Sequence, residues 1–229
     1  MLTITWKEMR KNILIISSYI LFTVGMALVF NGYLPGLFAD EKEMLSTSYA
    51  LLMGIFVNMI IFGGLMGNEK EEEQSNGYEF MRSLPIDAWQ IVGGKFLSAF
   101  FSAIIAIATV LVVTGIFGSK LEGTLRPVAF SLFSSGVALV LVGVMYLFAF
   151  RIRYSKLVVL VMLVYIGSMM LPQIANFVML LMDMDATREQ MYSALSIPVG
   201  GLIFFVCILL FAVLGYWCMK MYKITPAPQ

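Results

Sequence analysis

NEKEEEQSNGYEFMRSLPIDAWQIVGGK, residues 68–95, is a long polar segment that separates apolar stretches on both sides of it. It holds six acidic and three basic residues, and its Asn76-Gly77 and Leu84-Pro85 pairs are turn signals. Between these turns lies an apolar cassette of Tyr78, Phe80, Met81 and Leu84. A polar segment between two apolar stretches is either a plain tether or a docking surface, and this cassette favours the docking surface.

The composition is that of an integral membrane protein. Hydrophobic residues make up 60% of the chain and charged residues 13%, with a mean hydropathy of +0.91. Soluble domains usually carry about 25% charged residues. The chain contains no histidine, which excludes histidine metal ligands and Ser-His or Cys-His nucleophile pairs. A net charge of +1 gives no indication of nucleic-acid binding.

Six apolar stretches are long enough to cross the hydrocarbon layer, which takes about 20 residues of helix. They are residues 13–33, 48–67, 96–117, 128–150, 157–182 and 197–219. We therefore predict an all-α membrane protein with a single transmembrane domain, residues 1–229. Cys207 and Cys218 fall in the last span, roughly 16 Å apart along a helix, too far for a disulfide. Pro198 suits the first turn of that span.

The basic residues predict the orientation. Of the 15 Lys and Arg residues, most lie on the side of the two termini. That side holds Lys7, Arg10, Lys11, Lys70, Arg82, Lys95, Arg151, Arg153, Lys156, Lys220 and Lys223; the other holds Lys42, Lys120, Arg126 and Arg188. Because basic loops stay in the cytoplasm, we predict that both termini and residues 68–95 are cytoplasmic.

Residues 1–12 alternate apolar and basic side chains. Leu2, Trp6 and Met9 are interleaved with Lys7 and Arg10, which predicts a short amphipathic elbow helix lying in the headgroup region against membrane lipid. A frayed N-terminus is the alternative interpretation.

The six predicted spans contain no charged residue, since all 15 basic and 14 acidic residues fall in loops, tails or the interface. Ion-coupled carriers and pumps usually keep a carboxylate or a base within the membrane to hold the coupling ion. We therefore expect any energy for transport to enter from outside the bilayer.

Three polar residues do fall within predicted spans, namely Asn58, Gln173 and Asn176. They are candidates for a substrate path. Hydrogen bonding between packed helices is the equally simple alternative.

The polar segment itself predicts a helix, a short crossbar and a second helix. Gly77 suits a helix C-terminus, residues 78–83 can form one short helix parallel to the membrane, and Pro85 suits the start of the next helix. That helix runs through Gly93-Gly94 into the third span. Water-exposed Tyr78, Phe80 and Met81 would be costly, since burying each contributes about 1.5–3 kcal/mol.

The segment resembles the cytoplasmic loop of small bacterial ABC-2-type permeases, the membrane subunits of ABC exporters. Gly77-Tyr78-Glu79, Ser83-Leu84-Pro85-Ile86, Ile91 and Lys95 carry the resemblance. It implies a coupling helix, Tyr78–Leu84, that docks on a separate ABC ATPase, with Gly77 and Pro85 as hinges and Glu79 and Arg82 as polar contacts. It also implies a second permease subunit, in a homodimer or a heterodimer, in the bacterial plasma membrane.

No GxxxxGK[ST] phosphate-binding loop occurs in the sequence, so ATP and magnesium would be bound by the partner ATPase, and this chain would carry no cofactor, metal or catalytic residue of its own. The resulting hypothesis is a permease that exports an amphipathic or hydrophobic substrate such as a peptide, toxin or drug. A non-transporting sensor, immunity or scaffold subunit is the main alternative. A membrane-embedded hydrolase and a carrier or channel are the others.

Overall fold

The computed structural model describes residues 2–30, 72, 87–117, 126–149, 163, 167 and 196–224. All regular structure in these residues is α-helical, and five helices are described from end to end. They are α1 (Leu2–Lys11), α2 (Ile13–Phe30), α3 (Ala88–Phe117), α4 (Arg126–Ala149) and α5 (Ile197–Ile224). The predicted spans 48–67 and 157–182 lie outside the described residues.

Three of these helices are long and apolar enough to cross a membrane. The qualifying segments are Trp89–Ile116, Pro127–Ala149 and Ile197–Tyr222. They agree with the predicted spans 96–117, 128–150 and 197–219. Helices α1 and α2 pass the same test only as a pair, because Leu2–Lys11 and Ile13–Leu28 are bent by 57° relative to each other.

The helix starts follow local sequence signals. The backbone carbonyl of Asp87 accepts hydrogen bonds from the N–H groups of Gln90 and Ile91, so Asp87 precedes the first turn of α3, where an acidic side chain complements the helix dipole. At α5 the Gly200 N–H donates to the Ser196 carbonyl at 2.8 Å. Pro198 is therefore the second helical residue, which confirms its predicted place in the first turn.

Helices α4 and α5 make the most extensive contact in the described part of the chain. Small residues allow this close approach. A Cβ atom on Gly200 would lie 2.8 Å from the carbonyl oxygen of Ala129, and one on Gly136 would lie 3.1 Å from the Cβ of Cys207. Glycine at such contacts lets helix backbones approach each other closely in membranes. Both cysteines are free thiols, as their spacing predicts.

Helices α3, α4 and α5 meet at an aromatic cluster around Phe96. Its ring centroid lies 5.3 Å from that of Tyr146 on α4 and 4.6 Å from that of Phe211 on α5. Gly215 leaves room for the Phe96 ring, since a Cβ there would lie 3.1 Å from Phe96 Cδ1. Aromatic pairs at these separations add about 0.5–1.5 kcal/mol beyond their area burial.

One buried stripe runs along α1 and α2 on the side that packs on α3. The stripe is polar at Thr5 and Glu8 of α1 and at Asn12 between the helices, and in α2 it is mainly apolar. It continues through Ile16, Tyr19, Thr23 and Ala27. Tyr19 ties α2 to α3, because its hydroxyl donates to the Ala106 carbonyl at 3.4 Å.

Helix α1 buries polar side chains and exposes two large apolar ones beside the basic Lys7 and Arg10. Leu2 is 72% exposed and Trp6 is 70% exposed, while Glu8 on the opposite face is buried. Helix α1, Leu2–Lys11, lies within the predicted elbow at residues 1–12. Its position in the lipid headgroups stays a prediction.

Candidate functional site

A buried ion pair joins Glu72, near the start of the polar segment, to Lys95 at its end. Lys95 Nζ donates to Glu72 Oε2 at 2.5 Å, and the exposed fractions of the two side chains are only 1% and 2%. Glu72 lies just before the segment that contains the predicted crossbar, and Lys95 lies in the second turn of α3. The contact therefore brings together two residues that are 23 positions apart.

The pair is poorly hydrated, so each charge depends on the other. Removing one partner of a buried ion pair leaves an uncompensated buried charge and costs about 3–5 kcal/mol, whereas replacing both by apolar residues is often neutral. The Lys95 ammonium gains a further contact from α4, because it lies 5.7 Å from the centroid of the Tyr146 ring. That distance is within the range of a cation–π interaction.

A second base approaches the same carboxylate from α1. Lys7 Nζ lies 4.0 Å from Glu72 Oε1, and its side chain is 54% exposed. An ion pair this long and this solvated contributes little, about 0–1 kcal/mol. Lys7 and Lys95 are therefore unequal partners of Glu72.

Helix α1 is also attached to the backbone of α3 beside the ion pair. The Thr5 hydroxyl donates to the Gly94 carbonyl at 3.3 Å. Two turns further along α3, the Ser102 hydroxyl donates to the Ser98 carbonyl at 3.0 Å and lies 3.9 Å from the sulfur of Met9. Polar contacts thus line the interface between α1 and α3 on both sides of Lys95.

Together these contacts make a joint between four parts of the chain: α1, residue 72, α3 and α4. Glu72 and Lys95 neutralise each other, and Tyr146 and Thr5 hold the surrounding elements in place. Such an arrangement fixes relative positions. Phe96, the next residue on α3, extends the joint to α5 through its contact with Phe211.

The structure leaves the predicted docking and path residues untested, because they lie outside the described residues. These are Gly77, Tyr78, Glu79, Phe80, Met81, Arg82, Leu84 and Pro85 for docking, and Asn58, Gln173 and Asn176 for the substrate path or helix packing. Their flanks are described, however. The docking residues lie between Glu72 and Asp87 in the sequence, so the joint stands at the base of the predicted crossbar.

Sequence reasoning assigned Lys95 to the polar loop and missed its burial. The structure places it inside the apolar helical segment Trp89–Ile116. A signal was present in the helical spacing, since Lys95 shares a face with Ala99, Ala103 and Ala106, all buried. A lysine in line with three small residues indicates a side chain turned toward the protein interior. Its partner 23 positions earlier has no comparable signal.

A sequence model of the family described as ABC-2 family transporter protein matches residues 9–223 of the chain. The chain belongs to the ABC-2 transporter family. No individually curated protein sequence matches it.

Family membership makes this ABC-2 permease a membrane-embedded transporter component. Permeases of the family normally work with an ABC ATPase as partner and form the membrane component of the transporter. The resemblance read from Gly77-Tyr78-Glu79 and Ser83-Leu84-Pro85-Ile86 is confirmed at the level of the family. The joint of Glu72, Lys95, Lys7 and Tyr146 therefore belongs to the membrane component of an ABC transporter.

Proposed function

We propose that this ABC-2 permease is the membrane subunit of an ATP-driven exporter that moves an amphipathic or hydrophobic substrate, such as a peptide, toxin or drug, across the plasma membrane. The match of the family model to residues 9–223 carries this proposal, because it covers nearly the whole chain. A separate ATPase supplies the energy, and a second permease subunit completes the transport path.

The distribution of charge supports an external source of energy. None of the four long helices α2, α3, α4 and α5 contains an aspartate or glutamate. Ion-coupled transport usually relies on such a carboxylate within the membrane. In the described part of the chain, the buried lysine of α3 is paired with Glu72 at the end of the polar segment.

The predicted crossbar at Tyr78–Leu84 is the proposed docking element for the ATPase. Phe80 and Met81 supply apolar contacts, and Glu79 and Arg82 supply polar ones. The Glu72–Lys95 ion pair supports this role, because the two residues flank the crossbar in the sequence and are in contact in the structure. Moving the crossbar would therefore move α3, and through Phe96 it would act on α4 and α5.

The proposal predicts that Phe80→Ala with Met81→Ala releases the ATPase. The full-length permease is purified with the ABC ATPase that accompanies it, and the retained ATPase and its hydrolysis rate are measured. We expect at least a tenfold loss of retained ATPase, since each lost apolar contact is worth about 1.5–3 kcal/mol.

Phe205→Ala with Val206→Ala is the matched control, because it removes two adjacent exposed apolar side chains from α5. It should retain the ATPase. Full retention of ATPase and hydrolysis by the Phe80 and Met81 double variant would contradict the docking element. A wild-type permease that binds no ATPase and transports nothing would instead favour a sensor, immunity or scaffold subunit.

The substrate class is tested on the reconstituted complex in vesicles. An amphipathic helical peptide and an apolar dye are expected to stimulate ATP hydrolysis and to be transported. A charged sugar and an inorganic ion are tested in the same way as control substrates. Stimulation by the sugar or the ion alone would overturn the proposed substrate class.

A further inference from the structure

The Glu72–Lys95 pair closes the base of the cytoplasmic segment. The two residues are 23 positions apart in sequence, yet Nζ and Oε2 are in hydrogen-bond contact. Every residue of the predicted crossbar lies between them. We expect force that enters at the crossbar to pass along the chain to these two positions.

We propose that Glu72 and Lys95 are positioning residues that lock the two flanks of the cytoplasmic segment to each other, beside the Thr5–Gly94 contact that attaches α1 to α3, so that a displacement of the crossbar moves α1 and α3 as one unit. The proposal rests on the proposed function, in which the crossbar receives work from an ATPase. Its new content is the residue pair that passes this work on.

Three contacts support a joint that transmits position. Thr5 ties α1 to the carbonyl of Gly94, the residue next to Lys95. Tyr146 of α4 lies 5.7 Å from the ammonium group of Lys95. Phe96 packs on Phe211 of α5 at a centroid distance of 4.6 Å. Displacement of Lys95 would therefore strain contacts with three helices at once.

The two lysines near Glu72 provide an internal comparison. Lys95 is buried and in direct contact, whereas Lys7 is half exposed and 4.0 Å away. Both carry the same charge and approach the same carboxylate. Only Lys95 is expected to position the segment, so Lys7→Met is the matched control for Lys95→Met.

The first experiment uses the full-length permease alone and does not depend on any ATPase. Thermal unfolding is measured in one detergent for wild type, Glu72→Met, Lys95→Met, the double variant and Lys7→Met. Each single variant at the buried pair should lower the unfolding temperature by roughly 5 °C or more. The double variant should recover most of this loss, and Lys7→Met should stay close to wild type.

The interaction between Glu72 and Lys95 would be contradicted by either of two results. One is a fall in unfolding temperature in the double variant equal to the sum of the two single falls; the other is an equal fall for Lys7→Met and Lys95→Met. A recovered double variant shows that the two residues act on each other, because independent sites would add.

The second experiment separates positioning from stability. The same variants are purified with the accompanying ABC ATPase. Two quantities are measured for each variant: the amount of ATPase retained, and the stimulation of its ATP hydrolysis rate by the permease. Both single variants and the double variant should retain the ATPase but lose stimulation at least about fivefold. The double variant is decisive. Its two methionines refill the space of the ion pair, but their flexible side chains do not fix the distance between positions 72 and 95.

Full stimulation by the stable double variant would overturn the positioning role, because packing alone would then suffice. Unchanged stimulation in both single variants would do the same. If wild type binds no ATPase, the proposed function fails, while the unfolding experiment still decides whether the pair exists as a unit.

Discussion

Single atoms decide how closely α4 and α5 can pack. Gly200 has no room for a side chain, because a Cβ atom would lie 2.8 Å from the carbonyl oxygen of Ala129, a backbone atom that cannot rotate away. Gly201, the next residue, has no atom within 4 Å of the same position. A side chain at Gly200 would therefore clash with α4, whereas one at Gly201 would not.

This difference predicts opposite effects of the same substitution. Gly200→Ala should destabilise the permease by about 1–3 kcal/mol, because overpacking forces the two helices apart. Gly201→Ala should be neutral or stabilise it by up to about 1 kcal/mol, since alanine is the better helix former. Thermal unfolding in detergent measures both. Equal effects at the two positions would contradict the close contact.

The ion pair at Glu72 and Lys95 shows a second residue-scale effect. Burial makes each partner essential to the other, so loss of either costs more than the pair contributes as a whole. Its value lies in geometry, because a 2.5 Å contact specifies the distance between two chain positions more tightly than apolar packing does. The residue pair is therefore best understood as a fixed point in the fold.

At the scale of the helix, α1 exposes both apolar and basic side chains. Thr5 and Glu8 are buried, whereas Leu2 and Trp6 are exposed beside Lys7 and Arg10. An outward apolar face is stable where it meets lipid, and tryptophan favours the level of the headgroups. The structure thus gives the predicted elbow a physical reason to lie at the membrane.

This arrangement predicts that Trp6 is in contact with lipid. The chain has three tryptophans, so a variant with Trp89→Phe and Trp217→Phe leaves Trp6 as the only one. Its fluorescence in vesicles should be quenched by lipids brominated near the headgroup and resist quenching by aqueous iodide. The complementary variant, with Trp217 alone on apolar α5, is the control. Efficient quenching of Trp6 by iodide would contradict the membrane position.

For the whole molecule, the distribution of basic residues predicts the orientation. In the predicted six-span topology, eleven of the 15 Lys and Arg residues would lie on the side of the termini and of residues 68–95. The Glu72–Lys95 joint would then lie on the cytoplasmic side, where an ATPase can reach the crossbar.

The orientation is tested with single cysteines in a Cys207→Ala, Cys218→Ala background. A cysteine in place of Gln74 should react with a membrane-impermeant maleimide only in opened cells, because the polar segment is predicted to be cytoplasmic. A cysteine in place of Thr124, in the predicted external loop, should react in intact cells. The reverse pattern would place the crossbar outside and would remove the basis for its coupling to an ATPase.

The positions of the long helices were predictable because length and apolar composition suffice for them. Predicted spans 128–150 and 197–219 differ from α4 and α5 by a few residues at their ends. The helix that continues from the polar segment through Gly93-Gly94 was also predictable, and it is the first part of α3. Hydropathy locates such segments well because a membrane permits few alternatives to a helix.

The joint itself was not predictable, because it depends on contacts between distant positions. Lys95 is a charged residue at the end of a polar segment, which is typical of a loop. Glu72 is one of several consecutive acidic residues in the sequence. Nothing in their spacing selects Glu72 over Glu71 or Glu73. Only the packing of α1, α3 and α4 determines which carboxylate meets the buried ammonium.

The inward polar face of α1 has a consequence for biogenesis. During synthesis α1 leaves the ribosome long before α3, and the carbonyl that accepts from Thr5 belongs to a residue 89 positions later. Until then Thr5 and Glu8 lack the groove that buries them, and hydrocarbon offers them no substitute. We therefore expect α1 to reach its final place only after α3 has been made, much later than its own synthesis.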